Sequence, residues 1–253
     1  VLDYDAKSGG TATIAADALI ADIRARGLKV DWIIETHVHA DHLSSAQYIK
    51  QVLGGRIGIG ARVSEVQSIF SRIFNAEPAF ATDGSQFDHL FEDGETFRIG
   101  SLTAIALATP GHTRACMSFH IGDAVFTGDA IFMPDSGTGR CDFPGGDAAR
   151  LFHSIQRLFA LPPQTRVFVG HDYQPGGRDL RYETTIAVQR MQNLHVRDGI
   201  DEADFVAMRR ARDTTLDLPN LILPAVQVNM RAGQLPPPES NGMRYIKIPI
   251  NQF

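Results

Sequence analysis

Apolar positions along the chain change period several times, and each change marks an element. From 11 to 26, Ile14, Ala18, Leu19 and Ile23 recur at helical spacing, with Gly27 as the stop. The β-branched run at 30–36 then reads as a strand that ends in a polar cluster, and 43–53 as a helix closed by Gly54-Gly55. A short strand is expected at 56–60. Residues 62–74 place Val63, Val66, Ile69, Phe70 and Ile73 on one helical face, whereas 75–91 show little period. Asp93-Gly94 opens a strand-rich block at 96–99, 102–108, 117–121 and 124–127, with Gly122-Asp123 as a tight hairpin turn. Asp147 is the expected N-cap of a helix running to 159, a buried strand is expected at 166–169, and helices near 182–195 and 201–212. After Leu218 the chain becomes Pro-rich, with Pro236, Pro237 and Pro238 in succession, and is expected to run extended over the surface. No strand is expected before the first helix.

This alternation of helix and strand over 253 residues predicts one α/β domain spanning 1–253. Charge then narrows the function. Against 29 Asp+Glu stand 24 Lys+Arg, a net charge of -5 with no clustered basic surplus, which argues against a nucleic-acid partner. No apolar run approaches the roughly 18 residues of a membrane span, so no membrane association is expected. Cys116 and Cys141 are too few to staple a chain of this length, which points to a reducing compartment and so to the cytoplasm.

The chemistry-bearing residues sit at strand ends. After the first strong strand comes His37-Val38-His39-Ala40-Asp41-His42, four ligand-type side chains in six positions. In extended chain His37 and His39 point to the same side, and a turn into the next helix can bring Asp41 and His42 over the same point. Imidazole suits zinc, iron, copper or nickel, and a carboxylate adds charge that holds a divalent cation. A single histidine here would be an ordinary solvated turn residue; three with an aspartate are not. Three later turns repeat the arrangement of strand, small residue, ligand-type side chain: Pro110-Gly111-His112, Thr127-Gly128-Asp129 and Val169-Gly170-His171. Each alone is weak, and His89, His120, His153 and His195, which lack such a setting, read as structural residues.

Taken together, Thr36-His37-Val38-His39-Ala40-Asp41-His42 with His112, Asp129 and His171 resembles the metallo-β-lactamase superfamily over nearly the whole chain. The resemblance implies a four-layer αββα sandwich. It also implies one metal position served by His37, His39 and His112, a second served by Asp41, His42 and His171, and Asp129 bridging them. The superfamily usually carries at least one hairpin before the segment matching Val1-Leu2-Asp3, so the resemblance leads us to expect that the natural chain has further N-terminal strands.

Two further segments narrow the branch. Asp135-Ser136-Gly137-Thr138-Gly139-Arg140-Cys141-Asp142-Phe143-Pro144-Gly145-Gly146 and Asn229-Met230-Arg231-Ala232-Gly233 resemble the persulfide dioxygenases, the group of the human ethylmalonic encephalopathy protein, and bacterial β-lactamase-hydrolase-like proteins. That branch implies one Fe(II) per chain on His37, His112 and Asp129, a 2-His-1-carboxylate triad. His39, Asp41, His42 and His171 then orient the ligands, with Tyr173 as a further donor. The implied reaction is oxidation of glutathione persulfide by O2 to sulfite and glutathione. Arg140 and Arg231 are the candidate anchors for glutathione carboxylates. Since all seven superfamily ligands are present, the alternative is a glyoxalase II-like thioester hydrolase with two Zn. A non-enzymatic persulfide sensor is the further alternative, although a purely structural site needs four ligands and no open position. By analogy the branch also admits a homodimer and a rhodanese-type persulfide donor as partner.

Overall fold

A computed structural model describes residues 1–252, and the chain groups into two compact units, the first made of 1–90 with the segment from 217 onward and the second of 91–216. In the first unit a short antiparallel pair, β1 (Asp3–Tyr4) and β2 (Thr11–Ala12), precedes α1 (Ile14–Ala25). The expectation of no strand before the first helix is therefore corrected. The Asp5 carboxylate closes the connecting loop by accepting from the Lys7 N–H and the Ser8 hydroxyl, both at 2.9 Å. β3 (Trp32–Ile34) is followed by α2 (Ala46–Leu53), β4 (Arg56–Gly60), α3 (Val63–Ile73) and β5 (His89–Phe91). β3 and β4 run parallel, with β5 on the far side of β4. β5 lay hidden in the aperiodic span 75–91 because three residues are too few to show a period.

The second unit is a six-stranded sheet with helices packed on it. In chain order it comprises β6 (Thr96–Ile99), β7 (Leu102–Ala108), β8 (Met117–Ile121), β9 (Ala124–Phe126), α4 (Ala148–Phe159), β10 (Arg166–Phe168), β11 (Glu183–Thr185), α5 (Ile186–Gln192) and α6 (Glu202–Asp213). Neighbours are antiparallel except β9 and β10, whose parallel pairing requires the crossover that α4 supplies. Asp147 caps α4 as expected, accepting from the Arg150 N–H at 3.1 Å. Leu151, Ile155, Leu158 and Phe159 then fall on its buried face against Val125 and Val167. The helix expected from 182 begins instead as β11. Thr184 and Thr185 are β-branched, and Glu183 holds the Arg166 guanidinium across the strand pair at 2.6 and 3.0 Å. The Thr185 hydroxyl then accepts from the Val188 N–H and caps α5.

The chain returns to the first unit as α7 (Ile222–Asn229), where extended tail was expected. Pro224 is tolerated because it sits in the first turn, whose N–H groups have no helical partner anyway. What decides the matter is burial: Ala225 and Val228 pack on Leu43, with Leu2 and Tyr4 beside them. Beyond Gly233 the described residues form no helix or strand, in keeping with the prolines. Among the described residues no helix is long and apolar enough to cross a membrane.

Candidate metal centre

In the first unit, Glu35 and the turn 37–42 follow β3 directly. The rings of His37 and His39 lie 4.1 Å apart and those of His39 and His42 4.3 Å apart. One ligand atom from each of His39, Asp41 and His42 lies within 4.8 Å of the others, so the turn can converge on a cation. Which nitrogen each ring offers follows from what holds its other nitrogen. Glu35 Oε2 sits 3.3 Å from His39 Nε2, making Nδ1 the nitrogen His39 can present to a metal. Asp41 takes His42 Nδ1 at 3.3 Å, and Thr36 Oγ1 lies 3.0 Å from His37 Nδ1, so these two rings present Nε2. Burial raises the Glu35 carboxyl, but the His39 ring and the Ser44 hydroxyl, which donates to it, outweigh burial and hold it below its ordinary value. Glu35 was missed in the sequence; its one signal is its place four residues before His39.

In the second unit three turns carry ligand-type residues. Gly111, at φ +146°, lets the His112 turn sit directly on α4: a Cβ there would lie 2.4 Å from the Leu151 backbone. β9 and β10, being parallel, leave the sheet at the same edge, and their pairing continues through Thr127 N–H to Phe168 C=O at 3.1 Å and Gly170 N–H to Gly128 C=O at 3.3 Å. The residues that follow therefore meet. Asp129, only 8% exposed, has Oδ2 3.8 Å from His112 Nε2 and Oδ1 3.6 Å from His171 Nε2.

The His112 tautomer tests whether this set suits a metal. His112 Nδ1 lies 2.7 Å from the Arg140 carbonyl, which can only accept, so Nδ1 bears the hydrogen. That leaves Nε2, 3.8 Å from Asp129 Oδ2, as the nitrogen His112 can offer, and an imidazole nitrogen facing a carboxylate oxygen across that gap is a donor pair that a divalent cation can take up. On its donor chemistry the set fits a divalent metal.

Neighbouring residues hold these turns. Arg178 grips Asp172 at 2.6 and 2.7 Å and Asp135 at 2.5 and 2.7 Å, tying the His171 turn to the loop at 135. Its hydrogen bonds hold the Asp172 carboxyl down to about 2. Arg178 escaped sequence reading because one of its partners lies 43 positions away. Tyr173 is 66% exposed, with its ring stacked on His171 and edge-on to Phe132 at centroid distances of 6.0 and 5.4 Å. His195 is structural: it accepts from the Thr138 N–H at 3.0 Å, and burial, aided by Arg209 and Arg212, pushes it down to about 4.

The two candidate anchors already have carboxylate partners. Arg140 is paired with Asp142 through two contacts of 2.6 Å and lies over the Phe143 ring. Arg231, in the first unit, is buried, paired with Glu77 at 2.6 and 2.8 Å and stacked on Phe80. Neither cysteine is a nucleophile. Burial pushes the Cys116 thiol up to about 12, and burial with Asp213 nearby raises Cys141 as well. Iodoacetamide at pH 8 is expected to leave both thiols unmodified in the folded protein and to alkylate both after unfolding, as read by intact mass.

Known proteins resemble the whole chain. A family model described as Metallo-beta-lactamase superfamily matches residues 8–171. A probable metallo-hydrolase of Burkholderia pseudomallei is 56% identical, covering 99% of this chain and 89% of its own length. The β-lactamase hydrolase-like protein of Xylella fastidiosa is 54% identical over 99% of this chain, which spans only 58% of that relative. The mitochondrial persulfide dioxygenase ETHE1 of Homo sapiens is 31% identical over 83% of this chain and 72% of its own. Among solved structures, ETHE1 from Myxococcus xanthus superposes with a TM-score of 0.71 at 29% identity, covering 92% of this chain and 93% of the other.

Proposed function

Because the chain belongs to the metallo-β-lactamase superfamily and has its mixed α/β fold, we propose that it is a persulfide dioxygenase that oxidises glutathione persulfide. One observation carries the choice of branch: the likeness to ETHE1 from Myxococcus xanthus, which runs through 92% of this chain. In this proposal His37, His112 and Asp129 hold a single iron(II), a 2-His-1-carboxylate set that leaves positions open. Iron(II), when bound, supplies activation of dioxygen beside the substrate sulfur. Both atoms of O2 go to the terminal sulfane sulfur, water provides the third oxygen of sulfite, and glutathione leaves as the thiol with release of two protons.

The chain's own residues prepare this chemistry. The Arg140 carbonyl holds a proton on His112 Nδ1, so Nε2 is the nitrogen left to serve as a ligand. Glu35 does the same for His39 from the opposite nitrogen. His39, Asp41, His42 and His171 orient the site, and Tyr173 lies against His171. Arg140 and Arg231 are proposed to meet the carboxylates of glutathione, which would compete there with Asp142 and Glu77. Holding both reactants at one centre removes much of the entropic cost of their encounter.

The test is direct. Protein purified without added metal is expected to contain one iron per chain and, with glutathione persulfide, to consume O2 in step with sulfite formation. Two zinc ions per chain with no O2 uptake would overturn the proposal. Hydrolysis of S-lactoylglutathione by that protein would establish instead a two-metal thioester hydrolase. That second reading is favoured by the hydrolase name of the Burkholderia pseudomallei relative.

A further inference from the structure

Asn229 ends α7, and its side chain is 4% exposed. Both halves of its carboxamide are used, all on one short stretch of chain. Nδ2 donates to the carbonyls of His39 and His42 at 2.9 and 2.7 Å, and Oδ1 accepts from the Ser44 N–H at 2.7 Å. The Ser44 hydroxyl donates to Glu35, and Glu35 holds His39 Nε2, so the contacts close into a ring that ends on a ligand-type imidazole. Four residues on, Gly233 presses its backbone against the same stretch: at φ +86°, a Cβ there would lie 2.9 Å from the Ser44 carbonyl. The Gln67 amide fixes the segment from behind by donating to the Met230 carbonyl at 2.9 Å.

From this geometry we infer that Asn229 is a positioning residue for the metal ligands: its carboxamide fixes the backbone of the 39–42 turn and so sets how tightly the protein holds its metal. The residue type follows from the contacts. Only a carboxamide offers two N–H donors to two carbonyls and one acceptor to an N–H from a single planar group. A carboxylate of the same shape would face both carbonyls with oxygen, leaving them without the donors they have now. The inference rests on metal binding as proposed above and is independent of which reaction follows.

The test uses zinc-loaded full-length protein and measures the transfer of zinc to a competing chelator together with the thermal midpoint. Asn229→Asp is expected to weaken zinc retention about 10–100-fold, the range typical of groups that orient metal ligands. Asp88→Ala, which removes the Lys50 pair and the acceptor of the Ile57 N–H in the same unit, is expected to lower the thermal midpoint while keeping wild-type zinc retention. Asn229→Ser, with one donor left, should fall between wild type and Asn229→Asp and serves in its place if that variant does not fold. Wild-type zinc retention in the folded Asn229 variants would overturn this inference alone. Equal zinc loss in Asp88→Ala at a matched thermal midpoint would overturn it too, since general loosening would then suffice. A wild-type protein that binds neither zinc nor iron would overturn the proposed function along with it.

Discussion

Asp129→Ala is expected to purify without metal and without turnover, the largest effect any single substitution in this chain should have. The Asp129 carboxylate has one imidazole nitrogen at each oxygen, 3.8 Å to His112 and 3.6 Å to His171, and removing it takes away the carboxylate that joins those two rings. Metal affinity should fall by more than the roughly 100-fold at which groups behind the ligands reach their limit. Elemental analysis after gel filtration checks it.

The second large effect concerns Arg209, which is 1% exposed. Its Nε and Nη2 reach Asp213 Oδ1 at 2.9 and 2.7 Å, and its Nη1 donates to the Thr138 carbonyl at 3.2 Å. Asp213 in turn accepts from the Cys141 N–H at 2.9 Å. Arg209→Ala leaves a buried carboxylate without its cation, and such losses cost about 3–5 kcal/mol. Replacing both partners with apolar residues of similar volume, Arg209→Met with Asp213→Leu, should recover part of that stability, because no charge is then stranded although the Thr138 carbonyl and the Cys141 N–H lose their partners. Urea unfolding of the single and double variants decides it. The pair flanks Arg140 on both sides, and the Arg140 carbonyl sets the His112 tautomer, so loosening it should also weaken metal binding.

How far the sequence foretells this molecule depends on the range of each signal. His37, His39, Asp41 and His42 were legible because four ligand types in six positions have no bland explanation. His112, Asp129 and His171 were legible only as a set, through the glycine before each one and the strand before that. Glu35, Arg178 and Asn229 were not, because each is an ordinary polar residue whose meaning lies in a partner. For Asn229 that partner is 185 to 190 positions away. Strands β6 to β9 and helix α4 followed from period and turn chemistry. α7 did not, because its Pro224 reads as a breaker until its place in the first turn is known, and the burial that makes it a helix comes from Leu43 and Leu2 at the other end of the chain. Arg231 reads in the sequence as a candidate substrate anchor, and Glu77, which pairs with it, lies 154 positions earlier.

The distance from Ser44 to Asn229 also sets a schedule. A ribosome adding about 5–20 residues per second needs about 10–40 s to cover the 185 positions between them. During that interval the histidine-rich turn is already outside, and its clamp does not yet exist. A cation caught then meets a loose turn and can leave again. On the role inferred for Asn229, tight binding at this turn has to wait until α7 has docked, so the folded protein rather than the nascent chain would set which ion is kept.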